Sequence, residues 1–299
     1  MDAEHKSFTV VNRLNDIRYM RLFEIILSLT VTILPFTARP LKLRVEPACI
    51  WLFIGIVITL HLFTEGWRWQ MVPAYFLVLF LGWRVYAIDV SKPRRLSLPG
   101  VAGFLGISIL VITGWILPAV FPVFSLPEPR GPYSVGTEMV YLQSDRDEVI
   151  TEDPGDRRER MLKIWYPSRA DVSDMKGERY IDRGSRAGFA TKYGLPPATF
   201  NYLDRVETYA YPDIAAANER FPILIFSHGY GSKATGYYAL LTELASQGYV
   251  IVNMNHTYES LGVTYPDGRI SYFDYEYQRE ISAGSMEYVK PLSTHFKMA

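Results

Sequence analysis

Apolar residues gather in four blocks within the first 125 positions: Leu22 to Phe36, Ala48 to Phe63, Val72 to Ile88 and Leu98 to Phe121. Spanning a bilayer takes roughly 17–25 predominantly apolar residues in a helix. The second and fourth blocks meet that requirement most clearly. The first carries Glu24 and reaches Pro35, and the third carries Arg84. The pattern predicts a helical membrane region over residues 1–125 with about four transmembrane helices. Glu24 and Arg84 are expected to make helix-end or intramembrane ion-pair contacts rather than to line a transport path.

Beyond Phe124 the period changes. Pro127, Pro129, Gly131 and Pro132 form a stiff linker. Gly136 to Leu142 and Met161 to Tyr166 read as strands, expected to pair antiparallel at the edge of a sheet, with the charged stretch Gln143 to Glu159 between them in solvent. Arg169 to Glu219 reads as mostly irregular, with short helices near Ala198 to Val206 and Ile214 to Asn218. Tyr265-Pro-Asp-Gly-Arg269 reads as a tight turn.

The most informative stretch runs from Phe221 to His256. Pro222 to Phe226 is an uninterrupted apolar run of buried-strand length. Ser227 to Ser232 is a polar turn punctuated by Gly229 and Gly231. From Ala234 to Gln247, Tyr237, Leu240, Leu241, Leu244 and Ala245 recur at helical spacing, and Gly248 stands where a left-handed cap belongs. Tyr249 to Met254 is again short and β-branched. A strand, helix and strand in this order predict a parallel crossover, and so an α/β domain. Glycines beside Tyr230 let the backbone approach a ligand and aim N–H groups at a developing anion.

Phe226-Ser227-His228-Gly229, the helix ending Leu244-Ala245-Ser246-Gln247-Gly248-Tyr249-Val250, the following Asn255-His256, and more weakly Met161 to Pro167 resemble the platelet-activating-factor acetylhydrolase family of the α/β-hydrolase superfamily. The resemblance covers roughly residues 130 to 275. It implies a carboxylic ester hydrolase acting on short-chain acyl or phospholipid-like esters. It also implies that Tyr230, following the His228–Gly229 pair, supplies one backbone N–H of an oxyanion hole, with His228 and Gly229 in support. The family's nucleophile sits in a Gly-x-Ser-x-Gly turn, and no such turn occurs in these 299 residues. Residues 126–299 are therefore expected to be the amino-terminal portion of a hydrolase domain, truncated before that motif. A second class stays open, a catalytically incomplete membrane protein with a hydrolase-like fragment and a non-enzymatic role.

Composition changes this picture little. Lys plus Arg and Asp plus Glu both number 31, so the formal net charge is zero and nucleic acid is not an expected partner. The bilayer and a small ester or phospholipid substrate are. Cys49, the single cysteine, precludes an internal disulfide, and its apolar neighbours predict a buried, inert thiol. No cofactor is called for, and no two histidines have metal-ligand spacing. Adjacent residues of an extended segment face opposite ways, so Ser227 and His228 are not expected to meet. A set of Ser232, His256 and Asp267 or Asp274 fits the counting but not the expected topology. Arg39, Lys42 and Arg44, together with Arg84, Lys92, Arg94 and Arg95, place the first and third loops on the cytoplasmic side. The hydrolase-like domain is then extracytoplasmic, with the plasma membrane the expected location, although Lys6, Arg13, Arg18 and Arg21 argue the other way.

Overall fold

The computed structural model describes residues 21–87, 98–148 and 150–283, apart from 152 and 154. The chain divides into two compact units, Met1–Phe124 and Ser125–Ala299. Lys6, Arg13, Arg18, Lys92, Arg94 and Arg95, which entered the orientation argument, lie outside the described residues.

All four apolar blocks are helical. Helix α1 spans Leu22–Arg44, α2 Pro47–Leu60, α3 Val72–Ala87 and α4 Leu98–Val120. Helix α1 continues through Pro35 and Pro40, so Arg39, Lys42 and Arg44 belong to its last two turns rather than to a loop. Pro47 opens α2, where a missing N–H costs nothing. A π-helical turn, His61–Glu65, extends α2, and Gly66 at φ 75° ends it. By length and composition Ala48–Glu65, Trp69–Ala87 and Gly100–Val120 can each cross a membrane, while the apolar stretch Leu22–Thr37 is shorter. These helices make the unit a membrane-integrated bundle.

The bundle core is a stripe from each of three helices at helical spacing: Leu27, Val31 and Leu34 of α1, Ile50, Ile54 and Val57 of α2, and Ala74, Leu77, Val78, Leu81 and Val85 of α3. Leu52, Phe63 and Ile109 point outward, as the faces of membrane helices do. The ionic residues are held in a buried network. Arg68 pairs with Glu24 and donates to the Phe121 carbonyl. Glu65 accepts the Phe23 and Glu24 N–H groups at 2.8 and 3.1 Å. Glu24 thus has its ion-pair partner in Arg68, while Arg84 is exposed near the end of α3. Cys49 is exposed, which corrects the expectation of a buried thiol: on the first turn of α2 it lies on the outward side with Ala48, while Ile50 turns into the core.

The second unit is a mixed sheet against which helices pack. Strands β1 (Ser134–Asp147), β2 (Arg157–Ser168), β3 (Ala210–Pro212), β4 (Ile223–Ser227) and β5 (Val250–His256) lie in the order β3-β1-β2-β5-β4. Strand β2 is antiparallel to both β1 and β5, while β4 is parallel to β5 and β3 to β1. The crossover between β4 and β5 is a short 3-10 turn, Ala234–Tyr237, followed by helix α6, Tyr238–Ser246. Gly248 at φ 101° closes it, with Tyr249 N–H on the Leu244 carbonyl at 3.2 Å, as the sequence predicts. Tyr238, Leu241 and Ala245 of α6 pack on Val135, Trp165 and Ile251 of the sheet, and the Trp165 and Tyr238 rings meet edge to face at 6.2 Å. These parts form a partial α/β-hydrolase domain.

Four expectations are corrected here. The β1–β2 pair is interior, because the three-residue β3, too short to show a period, lies outside it. Strand β4 is an edge strand, and Ile223 and Ile225 are 66% and 73% exposed rather than buried. An apolar run reports strand propensity but not which flank has a neighbour. The supposedly irregular insert contains helix α5, Arg183–Tyr193, capped by the Asp182 side chain and by Gly194 at φ 63°. No helix forms over 214–218. A hairpin of β6 (Gly262–Thr264) and β7 (Ile270–Tyr272), turning at Gly268, and helix α7 (Tyr275–Ser282) complete the unit.

Candidate active site

The carboxyl ends of β4 and β5 are parallel neighbours, with Ser227 opposite Met254. Open α/β sheets bind ligands at this edge. Immediately after β4 the chain makes a turn closed by the Ser232 N–H on the Gly229 carbonyl at 3.0 Å. Gly231 sits at φ 64°, and a Cβ there would stand 3.2 Å from the Phe273 ring. The φ favours glycine, and a Cβ there would require the Phe273 ring to give by a few tenths of an ångström. The segment after β5 anchors the turn: Gly231 N–H donates to the Glu259 carbonyl at 2.9 Å, and Leu261 N–H to the Ser232 carbonyl at 3.3 Å. Tyr258 in that segment has φ 63°, a strained value for a bulky residue.

His228 is buried and fully engaged. Its Nδ1–H donates to the Gly229 carbonyl at 3.0 Å, so Nε2 accepts the Ser260 hydroxyl at 2.9 Å. Burial holds its pKa below the ordinary histidine value. Among the described residues no protein acceptor takes the Tyr230 N–H. The Tyr230 ring packs on Phe273 at 5.1 Å. Its hydroxyl is pushed up to about 12, by burial first and by Glu259 next.

Ser227 does not meet His228, as alternation along a strand requires. It meets His256, with Oγ 2.8 Å from Nε2. Ser232 is not in this pair. The other face of the imidazole decides what the pair can do. Arg160, opposite His256 in the β2–β5 register, places a guanidinium nitrogen 2.9 Å from Nδ1. A guanidinium only donates, so Nδ1 accepts and the ring proton resides on Nε2. His256 therefore donates to Ser227 and has no lone pair there with which to take the serine proton. Glu259 lies 3.9 Å from Nδ1, beyond hydrogen-bonding reach. Burial, then the charge of Arg160, holds His256 down at about 4. The pairing escaped sequence reasoning because it depends on register, and register is what brings Arg160 beside His256.

Beside the turn lies a cleft of about 540 Å³ whose walls include Tyr258, Tyr265, Phe273 and Tyr275, with Glu159 and Arg269 at one side. Phe273 belongs to both the cleft and the turn. Lys233, buried just after the turn, donates to the Gly262 carbonyl and lies 3.3 Å from Asp182. Burial alone would raise the Asp182 pKa, but Lys233 and the Ser185 hydrogen bonds bring it to about 2. That contact ties the α5 insert to the turn. No group of three or more metal-ligating side chains occurs among the described residues.

The family described as Platelet-activating factor acetylhydrolase, isoform II, matches residues 119–274. The chain belongs to this family. The platelet-activating factor acetylhydrolase of Gallus gallus is 28% identical over 148 residues, covering 48% of this chain and 32% of that protein. The one from Canis lupus familiaris is 26% identical over 174 residues, covering 56% and 35%. The chain thus spans about a third of the length of these curated relatives. A ferulic acid esterase from Streptomyces cinnamoneus superposes with a TM-score of 0.40 at 26% identity, over 52% of this chain and 44% of that one. Family membership places the chain in a carboxylic ester hydrolase lineage, and the matched residues include all of the β4–α6–β5 unit and its turn.

Proposed function

We propose that the second unit is the oxyanion-binding part of a membrane-held ester hydrolase whose substrates are short-chain acyl or phospholipid-like esters. The observation that carries this reading is the Tyr230 N–H, which no described residue accepts, in a turn anchored by the hydrogen bonds of His228 and Gly231 at the carboxyl edge of two parallel strands. Such a donor stabilises the oxygen anion formed when a nucleophile attacks an ester carbonyl. His228 serves as a positioning residue, since both its ring nitrogens are committed to the loop. The adjoining aromatic cleft has room for the substrate beyond the carbonyl. With the basic last turns of α1 and Arg84 taken as cytoplasmic, the unit faces the extracytoplasmic side, and the plasma membrane is its proposed location.

A second reading, a membrane protein that does no covalent ester chemistry with these residues, is favoured by the orientation of the Ser227–His256 pair and by the lack of a Gly-x-Ser-x-Gly turn in the sequence. Hydrolysis of short-chain p-nitrophenyl esters separates the two. The 299-residue chain is expected to turn over no faster than its Ser227→Ala and Ser232→Ala variants. A longer product carrying a Gly-x-Ser-x-Gly serine is expected to be active and to lose about 10²–10³ in kcat on Tyr230→Pro, the usual cost of one oxyanion donor. Unchanged kcat in that variant removes the role given to Tyr230.

A further inference from the structure

Helices α1 and α2 leave a cleft of about 530 Å³ between them, walled by Leu29, Ile33 and Thr37 on one side and by Cys49, Ile50 and Phe53 on the other. Its surface offers nothing to a polar ligand. Even the two threonines spend their hydroxyls on their own helix, Thr30 on the Ile26 carbonyl at 2.7 Å and Thr37 on the Ile33 carbonyl at 3.1 Å. Leu29, Ile33 and Phe53 are exposed, so the cleft opens to the surroundings of an apolar bundle.

Size decides among apolar occupants. From Ile26 to Thr37 the wall on α1 rises about 17 Å, close to half of a hydrocarbon core of about 30 Å. A helix of about 10 Å diameter and that length fills about 1,300 Å³, far more than the cleft holds, whereas a single hydrocarbon chain of one leaflet fits. Charge then decides the headgroup. Just past Thr37 the last turns of α1 carry Arg39, Lys42 and Arg44, three cations against the single carboxylate Glu46 at the N-cap of α2. Clustered cations beside a membrane helix attract anionic lipids.

We infer that the α1–α2 cleft is a binding site for one acyl chain of an anionic phospholipid, whose headgroup lies at the basic end of α1. The site belongs to the membrane bundle and does not depend on the ester chemistry of the second unit. The test uses the full chain in phosphatidylcholine vesicles containing a trace of phosphatidylglycerol or phosphatidylcholine with a diazirine on one acyl chain. After irradiation, adducts are mapped by mass spectrometry. Phosphatidylglycerol adducts are expected to be enriched several-fold on residues 26–37 and 49–54 over the exposed Ile109 and Ile112 of α4, with no such enrichment from phosphatidylcholine. Ile33→Trp, a change at an exposed position that fills the cleft, is expected to abolish the enrichment. Changing Arg39, Lys42 and Arg44 together to Gln is expected to reduce it to the phosphatidylcholine level. Alkylation of Cys49 by N-ethylmaleimide, selective because it is the sole cysteine, should slow several-fold as phosphatidylglycerol is added. Labelling spread evenly over the bundle, equal enrichment from both lipids, or enrichment that survives Ile33→Trp would overturn the inference.

Discussion

The bundle and the hydrolase unit each contain a histidine between a charged group and a hydroxyl, and the two are wired in opposite senses. In the bundle, His61 Nδ1 faces Glu65 at 2.9 Å and Nε2 faces the Tyr75 hydroxyl at 2.6 Å. The carboxylate fixes a proton on Nδ1, and in the neutral ring Nε2 is then the acceptor. In the hydrolase unit, Arg160 stands where the carboxylate would be, and His256 turns its proton toward Ser227. The first arrangement can withdraw a proton from a hydroxyl, but it is buried among membrane helices. The second lies at the carboxyl edge of two parallel strands and cannot. Proximity of serine and histidine therefore says nothing about activation until the partner of Nδ1 is known.

The networks also differ in how much stability depends on them, and the largest effect belongs to the bundle. Arg68→Ala leaves Glu24 buried without its partner and is expected to cost about 3–5 kcal/mol in denaturant unfolding of the micelle-solubilised chain. The double change Glu24→Gln with Arg68→Met should recover most of that loss. An unaltered midpoint for Arg68→Ala would mean that the pair is solvated and that the bundle's polar network is not a structural one. In the hydrolase unit Gly231→Ala forces a Cβ into the left-handed region beside Phe273, with an expected cost of about 1–2 kcal/mol. Retention of wild-type stability there would show that the turn adopts another conformation.

Acid sharpens the contrast further. His228 and His256 are both held below the ordinary value near 6.5, by burial first. The unfolded chain therefore binds more protons than the folded one as pH drops below about 6.5. Their contribution to stability is intact above that pH and is lost as pH falls below it, for His256 down to about 4, at up to about 1.4 kcal/mol per pH unit for each histidine. Urea midpoints measured from pH 7.5 to 5 should decline, and less steeply in His256→Gln. A flat profile would place both rings in solvent. The smallest effect is expected at the sheet edge. Ile225→Lys should change stability by no more than about 0.5 kcal/mol, as exposed sites do, and a loss of several kcal/mol would mean that another segment covers β4.

Legibility in the sequence followed the range of the interactions involved. The β4–α6–β5 unit could be read because its period, its capping glycine and its strand lengths are local, and the same holds for the four apolar helices. The α5 helix was also locally signalled, by Asp182 before it and Gly194 after it, but the loop-like composition around it concealed the pair. Strand β3 carries three residues and no signal. The exposure of Ile223 and Ile225 depends on which strands flank β4, and the roles of Arg160, Glu259 and Ser260 depend on register and on one strained residue, Tyr258. The turn around Tyr230 could be read because glycines at a strand exit are a local feature, while the role proposed for its N–H rests on the resemblance of that turn to the family's. The orientation of the His256 ring was not, because it is set by a side chain 96 positions away.

The central claim is that the turn after β4 carries an oxyanion donor beside a serine that is not activated. Fluorophosphonate labelling of the purified 299-residue chain at pH 8, followed by peptide mapping, tests it directly. No adduct is expected on Ser227 in the wild type. A stoichiometric adduct on Ser227 that disappears in His256→Ala would contradict it, since that result requires His256 to accept the serine proton it is held to be unable to take.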